Sequence, residues 1–360
     1  MSADRDYMQR ALELAARGLY TTTPNPRVGC VIVRDDIVVG EGFHERTGEA
    51  HAEVRALHAA GERARGATVY LTLEPCAHQG RTPPCADALI AAGVARVVAA
   101  MRDPNPLVAG GGFDRLRAAG IAVESGLLEE EAQALNIGFV SRMTRGRPWV
   151  RLKVAASLDG KTALANGKSQ WITGSDARRD GHAFRARACA ILTGIGTLRD
   201  DDPRLDVREV ETTRQPLKIL VDSRLEAPLD AKLFRSGKVL VAAAVEDAAR
   251  IAALEARGIE AVVLPNANGK VDLAELMLEL GRRQLNEIHV EAGFKLNGSL
   301  MREGLVDELL VYLAPSLIGE SPNGMFNLPA LDDLSAQRRL EFTDVTRIGA
   351  DVRLRARVLS

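Results

Sequence analysis

His51, Glu53, Cys76 and Cys85 are the side chains whose types and spacing carry the sharpest chemistry. They lie in two short motifs, His51-Ala52-Glu53 and Pro75-Cys76 followed by Pro84-Cys85. One imidazole and two thiolates supply three zinc ligands. A catalytic zinc keeps its fourth position for water, whereas a structural zinc closes all four. Bound zinc lowers the pKa of that water to about 7, so hydroxide becomes available near neutral pH. A carboxylate two residues after the histidine can move protons, provided that partial burial raises its pKa toward the working pH. The set fits hydrolytic removal of an exocyclic amine from a nucleobase-like ring. Glu53 would take the water proton, pass it to a ring nitrogen and then protonate the leaving amine.

A lone His-x-Glu is common, and a Pro-Cys with a second cysteine is only moderately informative. Both in this order, about two dozen residues apart, form a much narrower pattern. Two plainer readings compete with it. Cys76 and Cys85 could be buried apolar residues with His51 on a helix face, or the site could be structural and closed by His78. Glu53 argues against the closed site, which has no use for an acid. The run Ala67 to Leu73 predicts a strand, and the Pro-Cys after it a helix start. Free N–H groups and the macrodipole favour a thiolate there.

The chain has 360 residues, 46% of them apolar, which is too long for one ordinary core and predicts two domains. Net charge is −1 with both signs interspersed, so no basic stripe awaits a nucleic-acid backbone. Aromatics make up 4%, too few for single-strand stacking platforms. A free small molecule is the expected substrate, and neither nucleic acid nor membrane an expected partner. Cys30 and Cys189 sit in apolar runs and read as core residues. A zinc–thiolate site without a disulfide framework suits the cytoplasm. No leader peptide and no bilayer-spanning apolar run are legible.

The elements that must position these residues follow from periodicity. A helix is predicted over 6–18, a hairpin over 28–33 and 37–42, and a helix carrying His51 and Glu53 to about residue 60. Strand 69–73, helix 85–92, strand 94–101, helix 113–119 and strand 121–125 follow, then one helix over 129–144. This alternation predicts a three-layer α/β/α domain. Arg145-Gly146-Arg147-Pro148 reads as the boundary, giving domains 1–146 and 147–360. The second half starts its own αβ pattern, with helices predicted at 175–188, 248–257, 273–283 and 298–303. Its strands are predicted at 149–156, 190–192, 218–221, 239–243, 261–264, 287–291, 308–313 and 352–358. The junction Ile288 to Ser299 is a strand, a glycine-containing loop and a helix start, a geometry that binds phosphate through free N–H groups. It is not Gly-x-Gly-x-x-Gly, and by itself is as well read as an ordinary turn.

Eight residues separate Cys76 from Cys85, where cytidine- and tRNA-type deaminases have Cys-x-x-Cys. With Pro24-Asn25-Pro26-Arg27-Val28-Gly29, that insertion resembles the deaminases of riboflavin biosynthesis. Its Gly80, Arg81 and Thr82 are candidate substrate contacts. Val154 to Lys161, Ser169 to Thr173, Asp201 to Leu205, Val221-Asp222-Ser223 and Val290 to Gly293 resemble the reductase half of the bacterial bifunctional enzymes of that pathway. The resemblance covers nearly the whole chain. It implies a cytidine-deaminase-like first domain and a dihydrofolate-reductase-like α/β second domain using NADPH. The implied substrates are 2,5-diamino-6-(5-phosphoribosylamino)pyrimidin-4-one and then 5-amino-6-(5-phosphoribosylamino)uracil. Members of the family are often homo-oligomers.

By the same resemblance, Asn25 and His44 would hold the pyrimidine. Ala155, Trp171, Thr197, Asp201, Ser223 and Gly293, Phe294, Lys295, Leu296, Asn297, Gly298 and Ser299 would contact NADPH. Ser169, Arg185, Leu205, Arg208 and Glu291 would contact the reductase substrate, and a guanidinium suits its phosphate. Lys153 and Asp159 would polarise or position the sugar, or form a structural ion pair. Hydride transfer to an open-chain imine needs no protein nucleophile, which is why the second half shows no sharp catalytic cluster. A cytidine- or tRNA-type deaminase with an accessory second domain, and a zinc-stabilised nucleotide-binding module, are the alternative readings.

Overall fold

The computed structural model describes residues 3–77, 84–106 and 108–359. His78, Gly80, Arg81 and Thr82 lie outside them. The chain divides into two compact units at Gly146/Arg147.

The first unit runs α1 (Ala3–Ala16), β1 (Gly29–Arg34), β2 (Ile37–Phe43), α2 (Ala52–Ala60), β3 (Thr68–Leu71), α3 (Cys85–Ala92), β4 (Arg96–Ala99), α4 (Gly111–Ala118), β5 (Ala122–Ser125), α5 (Glu129–Leu135) and α6 (Ile137–Arg145). Asp35 and Asp36 both take positive φ, as a two-residue turn between twisted strands requires. The sheet order is β2-β1-β3-β4-β5, antiparallel across β2-β1-β3 and parallel from β3 to β5. Strand alternation sorts the core. Cys30 and Ile32 of β1 join Ala52 and Ala56 of α2, Leu89 of α3 and Leu116 of α4 on one face. Val31 and Val33 join Met8 and Leu12 of α1 and Ala132 of α5 on the other. Helices on both faces make the three layers.

Two features of this unit depart from the sequence pattern. The helix expected over 129–144 breaks at Asn136. Its side chain accepts from the Arg27 amide at 2.8 Å and donates to the Arg27 carbonyl at 2.9 Å, fixing the segment that carries Asn25. Pro75-Cys76 does not open a helix; the chain is irregular there and α3 starts at Cys85.

The second unit runs β6 (Trp149–Ser157), α7 (Ser175–Arg187), β7 (Ala190–Gly194), α8 (Ile195–Asp201), β8 (Leu217–Val221), β9 (Val239–Ala243), α9 (Ala248–Glu255), β10 (Glu260–Val263), α10 (Leu273–Arg282), β11 (Glu287–Val290), α11 (Phe294–Arg302), β12 (Glu308–Ala314), β13 (Leu340–Ile348) and β14 (Asp351–Val358). Its sheet order is β10-β9-β8-β7-β11-β6-β12-β14-β13, parallel as far as β12. The chain leaves β6 toward β7, β8, β9 and β10, then returns to insert β11 between β7 and β6. Strand order reverses there, and ligands of open α/β sheets bind beyond the carboxyl ends at such a reversal. Ile288 and Val290 of β11 face an apolar core with Leu276 of α10 and Leu300 of α11. The alternate residues of the strand, Glu287 and His289, are buried on its opposite side.

Three details were not legible. α8 is short and holds Gly196, and β13 is exposed along most of its length, so it carries no buried period. α11 begins at Phe294 rather than Gly298, which puts the free N–H groups closer to β11.

Helix α2 lies against β2 because two strand positions lack side chains. A Cβ on Gly42 would stand 2.5 Å from the Ala52 carbonyl oxygen, and one on Gly40 2.3 Å from that of Ala56. Gly42→Ala should therefore destabilise the first unit by about 1–3 kcal/mol, read as a lowered urea midpoint of its unfolding transition.

Candidate active sites

In the first unit, the N-cap of α2 is His51, its first turn holds Glu53, and the first residue of α3 is Cys85. Cys76 lies in the irregular segment after β3. His51, Cys76 and Cys85 offer donor atoms all within 4.8 Å of one another. His51 Nδ1 is 3.2 Å from Cys85 Sγ and 3.8 Å from Cys76 Sγ. A tetrahedral zinc with ordinary bond lengths needs N···S separations of about 3.5 Å, so the donor set fits that ion.

Electrostatics agree with the fit. The Cys85 thiol pulls Cys76 down to about 4 against the effect of burial, helped by His51 and the Cys85 amide. That amide donates to Cys76 Sγ at 3.3 Å. Cys85 is pushed up by Cys76 and by burial, so the two sulfurs share one proton. A bound metal would release it. His51 is raised by its bond to Cys76, against burial. Glu53 is 3% exposed, and burial raises its carboxyl above the usual range. Its Oε2 is buried without a hydrogen-bond partner among the described residues. An acid in that state can hold a proton for a neighbour.

Asn25 and His44 are brought to the same place. Asn25 Nδ2 lies 3.1 Å from His44 Nε2, and the His44 ring stands edge-on to His51 at 5.4 Å. Burial lowers His44, and its Nδ1 faces the Ala50 carbonyl at 3.3 Å. The neutral ring that donates there leaves Nε2 to accept from Asn25. Cys30 and Cys189 are buried as core residues and sit in no disulfide, and Cys189 Sγ accepts from the Asn286 amide at 3.2 Å.

In the second unit, a cleft of about 640 Å³ opens at the strand-order reversal. It is lined by Lys153, Ser169, Arg185, Leu205, Arg208 and Glu291, the whole expected substrate set. Of the expected cofactor set, Ala155, Trp171, Thr197, Asp201, Gly293, Phe294 and Asn297 line it as well. Ser223, Lys295, Leu296, Gly298 and Ser299 do not. Ser223 Oγ accepts from the Val271 amide, Leu296 packs on the core, and Ser299 Oγ donates to the Lys295 carbonyl. Lys295 is exposed. A Cβ on Gly298 would stand 2.2 Å from the Asn327 carbonyl oxygen, so that glycine serves packing. Asp159 also falls outside the cleft. Its carboxylate accepts from Ser157 Oγ at 2.5 Å and the Gly319 amide at 2.7 Å, and those bonds hold it down at about 2.

The two arginines differ. Arg185 is locked, donating Nε and Nη2 to Glu291 at 2.5 and 2.8 Å and Nη1 to the Asp206 carbonyl. Burial alone would raise Glu291, but Arg185 more than offsets it and the carboxyl ends well below its usual range. Arg208 is exposed and bonds Asp206. Burial lowers the Lys153 amine, opposed by Glu291. Arg178, Arg204, Lys232 and Asp200 also line the cleft and were not anticipated. Arg178, His182 and Arg185 fall at i, i+4 and i+7, a one-face helical spacing that could have revealed them. Trp171 is 70% exposed with the Arg178 guanidinium 4.7 Å from its ring centre, an aromatic face available to a planar ligand.

Comparison with known proteins follows the same division. Residues 148–354 match the family described as RibD C-terminal domain, and residues 1–101 match the cytidine and deoxycytidylate deaminase zinc-binding region. The chain is 50% identical to the riboflavin biosynthesis protein RibD of Escherichia coli, over 97% of this chain and 98% of that one. It is 47% identical to RibD of Haemophilus influenzae, over 98% and 97%. The structure of Acinetobacter baumannii RibD, form 1, superposes with a TM-score of 0.92 at 45% identity, over 99% of both chains. A Thermotoga maritima diaminohydroxyphosphoribosylaminopyrimidine deaminase/5-amino-6-(5-phosphoribosylamino)uracil reductase gives 0.88 at 32%, again over 99% of both.

His182 supplies a pH test of the cleft wall. Its Nδ1 accepts from the Arg208 amide at 3.2 Å, and burial, with Arg185 and Arg208, holds it down at about 4. The unfolded chain therefore binds a proton between about pH 6.5 and 4 that the folded unit refuses, and stability falls as pH falls through that window. His182→Gln should flatten this part of the urea-midpoint profile; an unchanged slope would place the titration elsewhere.

Proposed function

This chain belongs to the RibD family of riboflavin biosynthesis, whose members join a zinc-binding deaminase to a reductase, and from that premise we propose which residues carry each step. It is a bifunctional enzyme. It deaminates 2,5-diamino-6-(5-phosphoribosylamino)pyrimidin-4-one and, with NADPH, reduces 5-amino-6-(5-phosphoribosylamino)uracil to its ribityl form. The reductase-family match over residues 148–354 removes the reading of an accessory second domain.

His51, Cys76 and Cys85 hold the zinc, and Asn25 and His44 orient the pyrimidine beside it. Zinc, when bound, supplies the Lewis acidity that ionises water near neutral pH. Glu53 accepts one proton of the water and hands it to a ring nitrogen, then takes the second from the adduct's hydroxyl and gives it to the departing amine. Oxygen replaces nitrogen on the ring, ammonia leaves, and Glu53 ends as it began. The observation that carries this assignment is the buried, unpartnered Glu53 Oε2 beside three donor atoms within 4.8 Å of one another.

In the cleft, NADPH, when bound, supplies the hydride. Trp171 and the start of α11 at Gly293 and Phe294 take the cofactor, and Lys153, Ser169 and Leu205 the sugar. Glu291 holds Arg185 in place, and Arg208, exposed at the cleft beside Asp206, pairs with the phosphate. The acceptor is the anomeric carbon of the open-chain imine, which gains one hydride and one proton.

A cytoplasmic location is supported by the zinc–thiolate site, which suits a reducing compartment. Among the described residues, no helix is long and apolar enough to cross a membrane. Self-association is supported by β13, an outer strand whose Phe342 and Val345 are each 63% exposed; such an edge is normally covered.

Glu53→Gln should cut ammonia release by roughly 10²- to 10⁴-fold. Zinc content by atomic absorption and NADPH oxidation on deaminated substrate should stay near wild type. Joint loss of both activities with the fold intact would break the two-site assignment. Arg208→Met should raise KM for the reductase substrate by roughly tenfold or more while kcat changes little; steady-state kinetics at saturating NADPH would reveal it.

A further inference from the structure

Cys76 and Cys85 stand on different local structures, one in irregular chain and one at the first position of a helix. In a Cys-x-x-Cys site the short spacing itself keeps the two sulfurs together. Here eight residues intervene, so something outside both segments must set their separation.

Helix α4 makes the necessary contacts. Glu74, two residues before Cys76, is 3% exposed and accepts four backbone N–H bonds. Its Oε2 takes the amides of Asp103 at 3.1 Å and Gly110 at 3.0 Å. Its Oε1 takes those of Gly112 at 3.0 Å and Phe113 at 3.3 Å, in the first turn of α4. Gly112 lies so near this segment that a Cβ on it would stand 2.0 Å from the Pro75 carbonyl oxygen. One turn on, Arg115 Nη1 donates to the carbonyl of Ala77, the residue after Cys76, at 2.9 Å. Arg115 Nε pairs at 2.8 Å with Asp87, in the first turn of α3 two residues past Cys85. One arginine thus ties both cysteine-bearing segments to one helix.

We propose that Glu74 and Arg115 are positioning residues of the metal centre, through which α4 clamps the Cys76 and Cys85 segments at ligand distance. The proposal rests on the assignment of those cysteines as zinc ligands. Glutamine at position 74 keeps the size but loses half of the acceptor: its amide nitrogen has no lone pair for the N–H groups it would meet. Arginine 115 is half exposed and its ion pair adds little to stability, so its loss bears on geometry rather than folding.

The test is zinc affinity of the metal-stripped full chain, titrated against a chromophoric chelator, for wild type, Glu74→Gln, Arg115→Gln and Cys76→Ser. NADPH oxidation on deaminated substrate serves as the check on the rest of the chain. Glu74→Gln should weaken zinc by roughly 10- to 100-fold and Arg115→Gln by at least about threefold, with NADPH oxidation unchanged. A purely structural role would lower the unfolding midpoint and leave the affinity alone. Wild-type affinity in both variants, with Cys76→Ser impaired, overturns the clamp. Wild-type affinity in Cys76→Ser overturns the ligand assignment instead. If Glu74→Gln does not fold, Arg115→Gln decides.

Discussion

A polar atom buried without a hydrogen-bond partner costs about 1–3 kcal/mol, and among the described residues Oε2 of Glu53 is held in that state. Glu53 is 3% exposed, on a helix pressed onto β2 where Gly40 and Gly42 leave no side chains. Behind it lies Cys30, a fully buried thiol pushed well up by burial and by the charge of Glu53 itself. The fold sustains this cost through the apolar face that α2, α3 and α4 share with the sheet. An acid so placed favours its neutral form, yet lies beside three groups that attract a cation.

The second unit handles charge in the opposite way. Arg151 is 0% exposed and bonds Glu308 at 3.0 Å and Glu287 at 3.3 Å. His289, also fully buried, lies 3.3 Å from Glu291, which in turn grips Arg185. Arginine 187 and Arg355 close the outer ends of the set. Arg151, Arg187 and Arg355 thus share the carboxylates of Glu287 and Glu308. The set leads to the cleft at Lys153, Arg185 and Glu291. Hydride transfer asks for fixed geometry and exclusion of water, and a buried layer of ion pairs suits that.

Much of this could be read from the residues. Apolar runs placed β1 and β6, Gly and Pro punctuation placed the division near Gly146, and the candidate zinc donors and acid followed from residue type. What escaped had physical reasons. Asn136 breaks a helix for the sake of a bond to Arg27, more than one hundred residues away in sequence. β13 pairs through its backbone while its side chains stay mostly exposed, so no pattern marks it. Gly298 and Leu296 sit in a motif that invites a ligand, yet the first is pressed on Asn327 and the second on the core.

The sequence by itself determined which atoms can bind, which acid can move a proton, and that two cores exist, because those properties belong to residue types and to periods of two or about four positions. Only the tertiary structure decided which of them meet. His51 and Cys85 are 34 residues apart, and they touch because α2 and α3 pack on one face of a sheet whose order, β2-β1-β3-β4-β5, is not the order of the chain. Burial at each site is likewise a collective property of the packed layers. It sets whether Glu53 holds its proton, whereas the Arg185 that packing brings against Glu291 makes that carboxyl give its own up in spite of burial.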